Sequence, residues 1–231
     1  MGWEWKTGNP SETPGWPSSS SGPYAPIRFI SEWDPDGSGP TPSRIVIGGD
    51  FFSTPNHQYL AYSDGSTPWL RFLVGDSPPG TVRAMVIDGS AVYIVSANRV
   101  YRGNIGSIPW MDLNGPPDAQ DLVHHAGSLI LRSSTGVFRW TGSQWVSLGV
   151  NGPTGGSSSR LLSTGGHLWS YGNFTQTARW NGTAWQTFPE LGEYAQSVVS
   201  MCEFAGQMIM ASSAGRIARY NGSTTTQIGA I

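Results

Sequence analysis

The hydrophobic positions of this chain occur in short runs that are separated by polar and glycine-containing turns. The segment at 138–149 reads FRWTGSQWVSLG, which is two such runs joined by a turn. The same arrangement returns as ARWNGTAWQTF at 178–188 and, with substitutions, as ARYNGS at 218–223. Asn-Gly between apolar runs is a strong signal for a β-hairpin with a type I′ turn, whose two central residues have positive φ. We therefore predict that a hairpin of this kind is the repeated unit.

The repeat has a nearly constant length. An aromatic residue precedes the turn in five copies, and these copies are separated by 39, 39, 40 and 40 residues. The five aromatic residues, which we predict to be structural, are Tyr62, Tyr101, Trp140, Trp180 and Tyr220. A period of about 40 residues with several strand signals per copy is typical of a β-propeller. We predict an all-β fold, a five-bladed β-propeller with four-stranded antiparallel blades and negligible helix.

The chain divides into an extended N-terminal arm, residues 1–26, and a propeller, residues 27–231. The predicted blades lie at about 27–75, 80–114, 119–150, 159–190 and 196–231. The arm is rich in Gly, Pro and Ser, a composition that cannot bury enough apolar surface to fold by itself. Its three tryptophans, Trp3, Trp5 and Trp16, therefore need a surface to pack on. Two alternatives are open, since the arm either packs on its own blades or binds a neighbouring chain.

Two short motifs connect these repeats to a known family. GGDF at 48–51 and GNFT at 172–175, together with the RWNGTAW hairpin at 179–185, resemble kelch-type propeller repeats in their divergent bacterial and bacteriophage form. The resemblance covers residues 27–229 and is closest in blades three and four. It weakens in blade two, where Ser96 and Ala97 replace the glycine pair, and in blade five, where the fourth strand opens without Trp. The resemblance implies the fold and leaves the function open, because propellers host many functions.

Composition restricts the classes of partner. Charged residues make up 12% of the chain and the net charge is −2, so no basic surface for nucleic acid is expected. The single cysteine, Cys202, excludes internal disulfides, and its apolar surroundings predict a buried strand residue. The first residues contain no apolar run of the secretory type, and no run approaches the length of a membrane span. We expect synthesis in a host cytoplasm, without a signal peptide, and no membrane partner.

The sequence shows no constellation that marks catalysis. No pair of carboxylates recurs, and no Gly-x-Ser-x-Gly nucleophile motif is present. His124 and His125 are adjacent on a predicted strand, so their side chains point to opposite faces and do not share a metal. We predict that the protein is not an enzyme and has no catalytic residues, no metal and no cofactor.

Two groups of residues are candidates for contact with a partner. Arg139, Arg179 and Arg219 each precede the repeat aromatic. These arginines either bridge neighbouring blades or contact an anionic partner, and both alternatives are open. Three aromatic residues outside the repeat positions are predicted to be ligand-facing, and they are Trp33, Trp169 and Tyr194.

These observations favour a non-enzymatic structural or attachment protein of a large assembly. The expected assembly is the virion of a tailed bacteriophage, whose other structural proteins contact the N-terminal arm. The alternative is a glycan-binding propeller, a lectin or host-surface adhesin. The sequence does not distinguish capsid, neck, tail or fibre, nor does it give a copy number or the identity of a glycan.

Overall fold

A computed structural model of the chain shows only β-strands as regular secondary structure in the part that it describes. That part comprises residues 26–36, 39–52, 58–63, 70–71, 77–104, 107–149, 159–172, 177–187 and 198–230. Within it, twenty strands form five four-stranded antiparallel sheets, and the four strands of each sheet are consecutive in the chain. This arrangement confirms the predicted fold class, an all-β, five-bladed β-propeller. The predicted arm lies outside the described residues, apart from its last residue.

The chain groups into two compact units. The first consists of residues 1–97 and 101–112, and the second consists of residues 98–100 and 113–231. The first two sheets contain strands β1 (Ile27–Trp33), β2 (Arg44–Phe52), β3 (Gln58–Ser63), β4 (Leu70–Arg71), β5 (Val82–Asp88), β6 (Ala91–Ser96), β7 (Arg99–Asn104) and β8 (Ser107–Asp112). The core of the first unit contains Trp33, Val46, Tyr62, Val82 and Ile94.

The second unit contains three sheets. The third sheet has β9 (Ala119–His125), β10 (Ser128–Ser133), β11 (Gly136–Trp140) and β12 (Trp145–Ser147). The fourth has β13 (Arg160–Thr164), β14 (His167–Tyr171), β15 (Ala178–Trp180) and β16 (Trp185–Thr187), and the fifth has β17 (Val198–Phe204), β18 (Gln207–Ser212), β19 (Arg216–Tyr220) and β20 (Thr225–Ala230). Ile130, Val137 and Leu148 of the third sheet pack against Leu161 and Leu168 of the fourth. Apolar packing between these sheets therefore stabilises the second unit.

Hairpins of the second unit use two kinds of turn. Between the first and second strands of a sheet, two-residue turns have positive φ at both positions, as at Ala126 and Gly127 with φ of 47° and 75°. These are the type I′ turns. Between the third and fourth strands, Trp180 pairs directly with Trp185, so the loop has four residues, and within it only Gly182 has positive φ.

The type I′ turn predicted at Asn181 and Gly182 is therefore wrong. The physical reason is a local hydrogen-bond network. The Oδ1 of Asn181 accepts hydrogen bonds from the backbone N of Thr183, at 2.9 Å, and of Ala184, at 2.8 Å. This side-chain network closes the four-residue loop while Asn181 keeps an ordinary negative φ.

Replacing Gly222 with alanine should lower the free energy of unfolding by about 1 to 2 kcal/mol. Gly222 has a φ of 100° in the equivalent loop of the fifth sheet, and no atom lies within 4 Å of an added Cβ, so the cost is backbone strain alone. Gly229→Ala in the same sheet is the control, because Gly229 does not have a positive φ and an added Cβ meets Ile217 only at 3.9 Å. Urea unfolding of both variants measures the difference, and equal losses would contradict this explanation.

Cys202 is on a strand, as predicted, but it is exposed rather than buried. The register of β17 against β18 shifts between Val198 and Ser200, which places one additional residue in β17. After this irregularity Met201 is the buried residue, and the regular alternation of a strand turns Cys202 to the opposite face.

Candidate functional site

An open groove lies between the third and fourth sheets of the second unit. Its volume is about 850 Å³, and its lining comes from the ends of β9, β10, β11 and β12 and from the hairpins of the fourth sheet. Arg139 and Arg179 occupy the same repeat position, on β11 and β15, and both residues line this groove. Trp180 and Asn181 follow Arg179 directly and line the same groove.

The described residues that line the groove include two arginines, Arg139 and Arg179, two histidines, His125 and His167, and no carboxylate. This described part of the lining is therefore cationic. Arg139 is exposed, and no hydrogen bond or ion pair joins it to another described residue. Arg179 packs over the indole of Trp169, with Cζ 5.5 Å from the ring centroid, which holds its side chain against the fourth sheet.

His125 connects the two sheets at the groove. Its Nδ1 lies 3.0 Å from the Oγ of Ser163, and either atom can be the donor, depending on the imidazole tautomer. Burial lowers the pKa of His125, and the nearby His167 and His124 lower it further. Burial and the two neighbouring histidines therefore all favour the neutral imidazole of His125.

A smaller groove of about 210 Å³ lies between the fourth and fifth sheets. Arg179 and His167 also line this groove, which contains a carboxylate, that of Glu203. The Oγ1 of Thr164 donates a hydrogen bond to the Oε2 of Glu203 at 2.6 Å. The two grooves therefore differ in charge as well as in size.

Among the described residues, Asp121 is a buried carboxylate whose pKa departs strongly from its ordinary value. Its hydrogen bonds give it a structural role. Its Oδ2 accepts a hydrogen bond from the backbone N of Leu161 at 2.7 Å, which joins the third sheet to the fourth. Its Oδ1 accepts one from the backbone N of Leu122 at 2.9 Å. Burial raises the pKa of Asp121 to about 6, although both hydrogen bonds and Arg160 favour the carboxylate. Asp121 does not line the groove.

The structure buries two of the three aromatic residues that we predicted to be ligand-facing. Trp33 is 5% exposed and packs edge-to-face on Tyr62, with centroids 5.8 Å apart. Trp169 is 3% exposed and packs in the same way on Tyr220, with centroids 6.3 Å apart. Both indoles complete the packing around a repeat aromatic, so neither presents an exposed face, although Trp169 contributes to the smaller groove.

The repeat aromatic residues differ in burial, and some predicted site residues lie outside the described part of the chain. Tyr62 and Tyr220 are buried, whereas Tyr101, Trp140 and Trp180 are half-buried. Trp140 and Trp180 pack on Trp145 and Trp185 of their own hairpins, with centroids 5.1 and 5.6 Å apart. Four predicted residues lie outside the described part of the chain, and they are Trp3, Trp5, Trp16 and Tyr194.

Sequence reasoning did not identify the groove. It treated Arg139 and Arg179 as one group, but it considered His125 only beside His124, as a metal pair that the strand geometry excludes. The available signal was the repeat itself, since His167 and Ser128 begin equivalent second strands and His125 and Thr164 end equivalent first strands. Residues at equivalent repeat positions line the interfaces between successive blades.

Within the described ranges, no three His, Cys, Asp or Glu side chains come close enough together to hold a metal ion. No helix in that part of the chain is long and apolar enough to cross a membrane.

Comparison with known proteins identifies the fold but no family. No protein-family model and no curated protein sequence matches the chain. Among solved structures, the extracellular domain of a putative hybrid two component system from B. thetaiotaomicron has a TM-score of 0.68 at 15% identity, over 93% of this chain and 29% of that chain. This chain therefore spans less than a third of that structure's length.

Two other structures give the same result. The WD40 beta propeller domain of Doa1 has a TM-score of 0.58 at 14% identity, over 84% of this chain and 64% of that chain. The GH74 enzyme of Niastella koreensis has a TM-score of 0.54 at 13% identity, over 87% of this chain and 31% of that chain. At these identities the likeness extends to the fold alone, so the kelch resemblance stays a prediction while the β-propeller is confirmed.

Proposed function

We propose that the chain is a non-enzymatic structural and attachment protein of a large assembly, and that this assembly is the virion of a tailed bacteriophage. The observation that supports a binding role is the cationic groove between the third and fourth sheets, whose lining, among the residues that the structure describes, contains arginine, histidine and amide groups and no carboxylate. Such a lining supplies hydrogen-bond donors that hold and orient a ligand. Acid–base catalysis would instead need titratable groups that converge on a reacting atom.

The N-terminal arm is the proposed connection to the assembly. Residues 1–26 contain three tryptophans and five prolines. Proline keeps such a segment extended, and an extended chain covers about 3.3 Å per residue, so the arm reaches tens of ångströms across a neighbour. A few aromatic anchors on an extended segment are suited to a large surface on another protein.

A glycan-binding propeller is the second candidate function, and the groove favours it. Trp180 is half-buried in the lining, beside the amide of Asn181. An aromatic face beside polar donors matches a sugar, which has an apolar face and hydroxyl edges. The two candidates are compatible, because an attachment protein of a virion also contacts the surface of the host cell.

Deletion of residues 2–22 should leave a folded propeller with a nearly unchanged melting temperature that no longer joins the assembly. Mass spectrometry of purified particles measures incorporation, and calorimetry measures stability. A matched control replaces the serines at 18–21 with alanine, which retains all three tryptophans and should incorporate normally. Normal incorporation of the truncated chain would refute the arm's role, and a large loss of stability would favour an arm that packs on its own blades.

A further inference from the structure

The two grooves of the second unit are copies of one surface. One wall of the larger groove comes from the third sheet, and the equivalent wall of the smaller groove comes from the fourth. The equivalent pairs are His125 and Thr164, Ser128 and His167, and Arg139 and Arg179. On the other wall, Trp180 and Asn181 of the fourth sheet correspond to Tyr220 and Asn221 of the fifth. Differences between the copies therefore indicate what each groove accommodates.

The copies differ in charge at one pair of contacts. In the smaller groove, Thr164 donates to the carboxylate of Glu203. At the equivalent contact of the larger groove, His125 meets the hydroxyl of Ser163, at 3.0 Å. The larger groove thus has a hydroxyl where the smaller one has a carboxylate, and the exposed guanidinium of Arg139 supplies its formal charge. This distribution favours an anionic ligand in the larger groove.

Size and lining limit the kind of anion. A volume of about 850 Å³ lies in the range of small-ligand sites. The lining includes the half-buried indole of Trp180 and the aliphatic side chains of Ile130 and Val146. It also includes the amide of Asn181, whose Oδ1 is occupied within its own loop and whose Nδ2 donates to no described residue.

We propose that the groove between the third and fourth sheets binds an acidic saccharide, with Arg139 contacting its carboxylate or phosphate and Trp180 and Asn181 contacting a sugar ring. A planar guanidinium group binds either anion through two parallel hydrogen bonds. The apolar surface and the amide then select a sugar over a simple anion. This inference rests on the attachment role proposed above and specifies the chemistry that the attachment site recognises.

Calorimetric titration of the full chain tests the ligand class with four probes. Trigalacturonate carries carboxylates, phosphorylated maltotriose carries phosphate, maltotriose is neutral, and an aspartate-rich peptide is acidic without sugar. We expect one acidic saccharide to bind at least about tenfold more tightly than both maltotriose and the peptide, with weaker binding at high salt. Tighter binding of the carboxylate or phosphate probe identifies the source of the charge. Equal affinity for maltotriose, equal affinity for the peptide, or no affinity tighter than about 1 mM for either acidic saccharide overturns the proposal.

Arginine variants test the location. Arg139→Gln should weaken binding of the acidic saccharide by about 10- to 100-fold and leave the melting temperature unchanged, because Arg139 is exposed and bonds to no described residue. Arg219→Gln is the matched control, since Arg219 is exposed at the same repeat position on β19 and does not line this groove. Its affinity should stay within about twofold of the unmodified chain. Equal losses in the two variants would place the binding elsewhere and overturn the proposal.

NMR titration of His125 distinguishes ligand binding in the groove from a purely structural role of Arg139, because a structural role does not change the pKa of His125. A bound anion favours the charged imidazole, so the pKa of His125, which burial lowers, should rise when the saccharide binds. An unchanged pKa at saturation would contradict binding in this groove. Failure of the arm experiment is distinguishable from failure of this proposal, because a chain without a role in the assembly would still bind the saccharide in isolation.

Discussion

Replacing Ile47 with alanine should lower the free energy of unfolding by about 2 to 5 kcal/mol. Ile47 is 1% exposed and packs with Ala61, Ile27 and Ile45 in the first sheet. Truncation removes buried methyl and methylene groups and leaves a cavity that the surrounding strands fill only in part. This is the largest effect on stability that we expect from a single aliphatic substitution in the first unit.

The neighbouring strand supplies the control for this experiment. Ile30 is the direct partner of Ile47 in the β1–β2 register, but it is 67% exposed. Ile30→Ala should therefore cost less than about 1 kcal/mol, because most of its side chain is in water before the change. Urea unfolding of the two variants compares the same substitution at paired positions. Similar losses in both would show that strand propensity, rather than burial, determines the cost.

The stability of the second unit should fall by about 3 kcal/mol as the pH rises from about 4 to about 6. Burial raises the pKa of Asp121 to about 6 from an ordinary value of 3.8. In this pH window the folded protein retains the proton on Asp121, whereas the unfolded chain has released it. The folded state then binds more protons, so rising pH favours unfolding, and the loss is complete above the folded pKa.

Asp121→Asn isolates this contribution. The amide retains an oxygen that accepts the hydrogen bond from the backbone N of Leu161 but does not titrate, so the decline between pH 4 and pH 6 should be absent. Subtracting the stability curve of the variant from that of the unmodified protein removes the contributions of all other groups. A difference curve that stays flat, or that rises with pH, would show that the carboxylate of Asp121 does not keep its proton in the folded protein.

The local pattern of the chain was sufficient to predict the blades. Each four-stranded sheet is formed by consecutive strands, and the turns that connect them are short in the second unit, so the pairing partners are neighbours in sequence. The period of the repeat aromatics, from Tyr62 to Tyr220, therefore records the number of blades directly. Strand pairing that depended on distant segments would have left no such period.

Local pattern was not sufficient where a side chain changes the backbone. Asn181 and Gly182 have the composition of a type I′ turn, yet the hydrogen bonds of the Asn181 side chain produce a four-residue loop. Cys202 has apolar neighbours in sequence, but a register irregularity in β17 turns it to the exposed face. One error comes from a single additional residue in a strand and the other from side-chain hydrogen bonds within a loop, and composition reveals neither.

The sequence by itself determined which residues form strands and how often the unit repeats, because alternation and turn composition act over a few neighbouring residues. The tertiary structure decided which side chains of those strands are buried. Ile30 and Ile47 have the same side chain on paired strands, and only packing with other residues buries one of them. Trp33 and Trp169 lie outside the repeat positions, but they are buried because each packs against a repeat aromatic. The cationic groove likewise exists only where two sheets bring together Arg139 and Trp180, which are 41 positions apart in the chain.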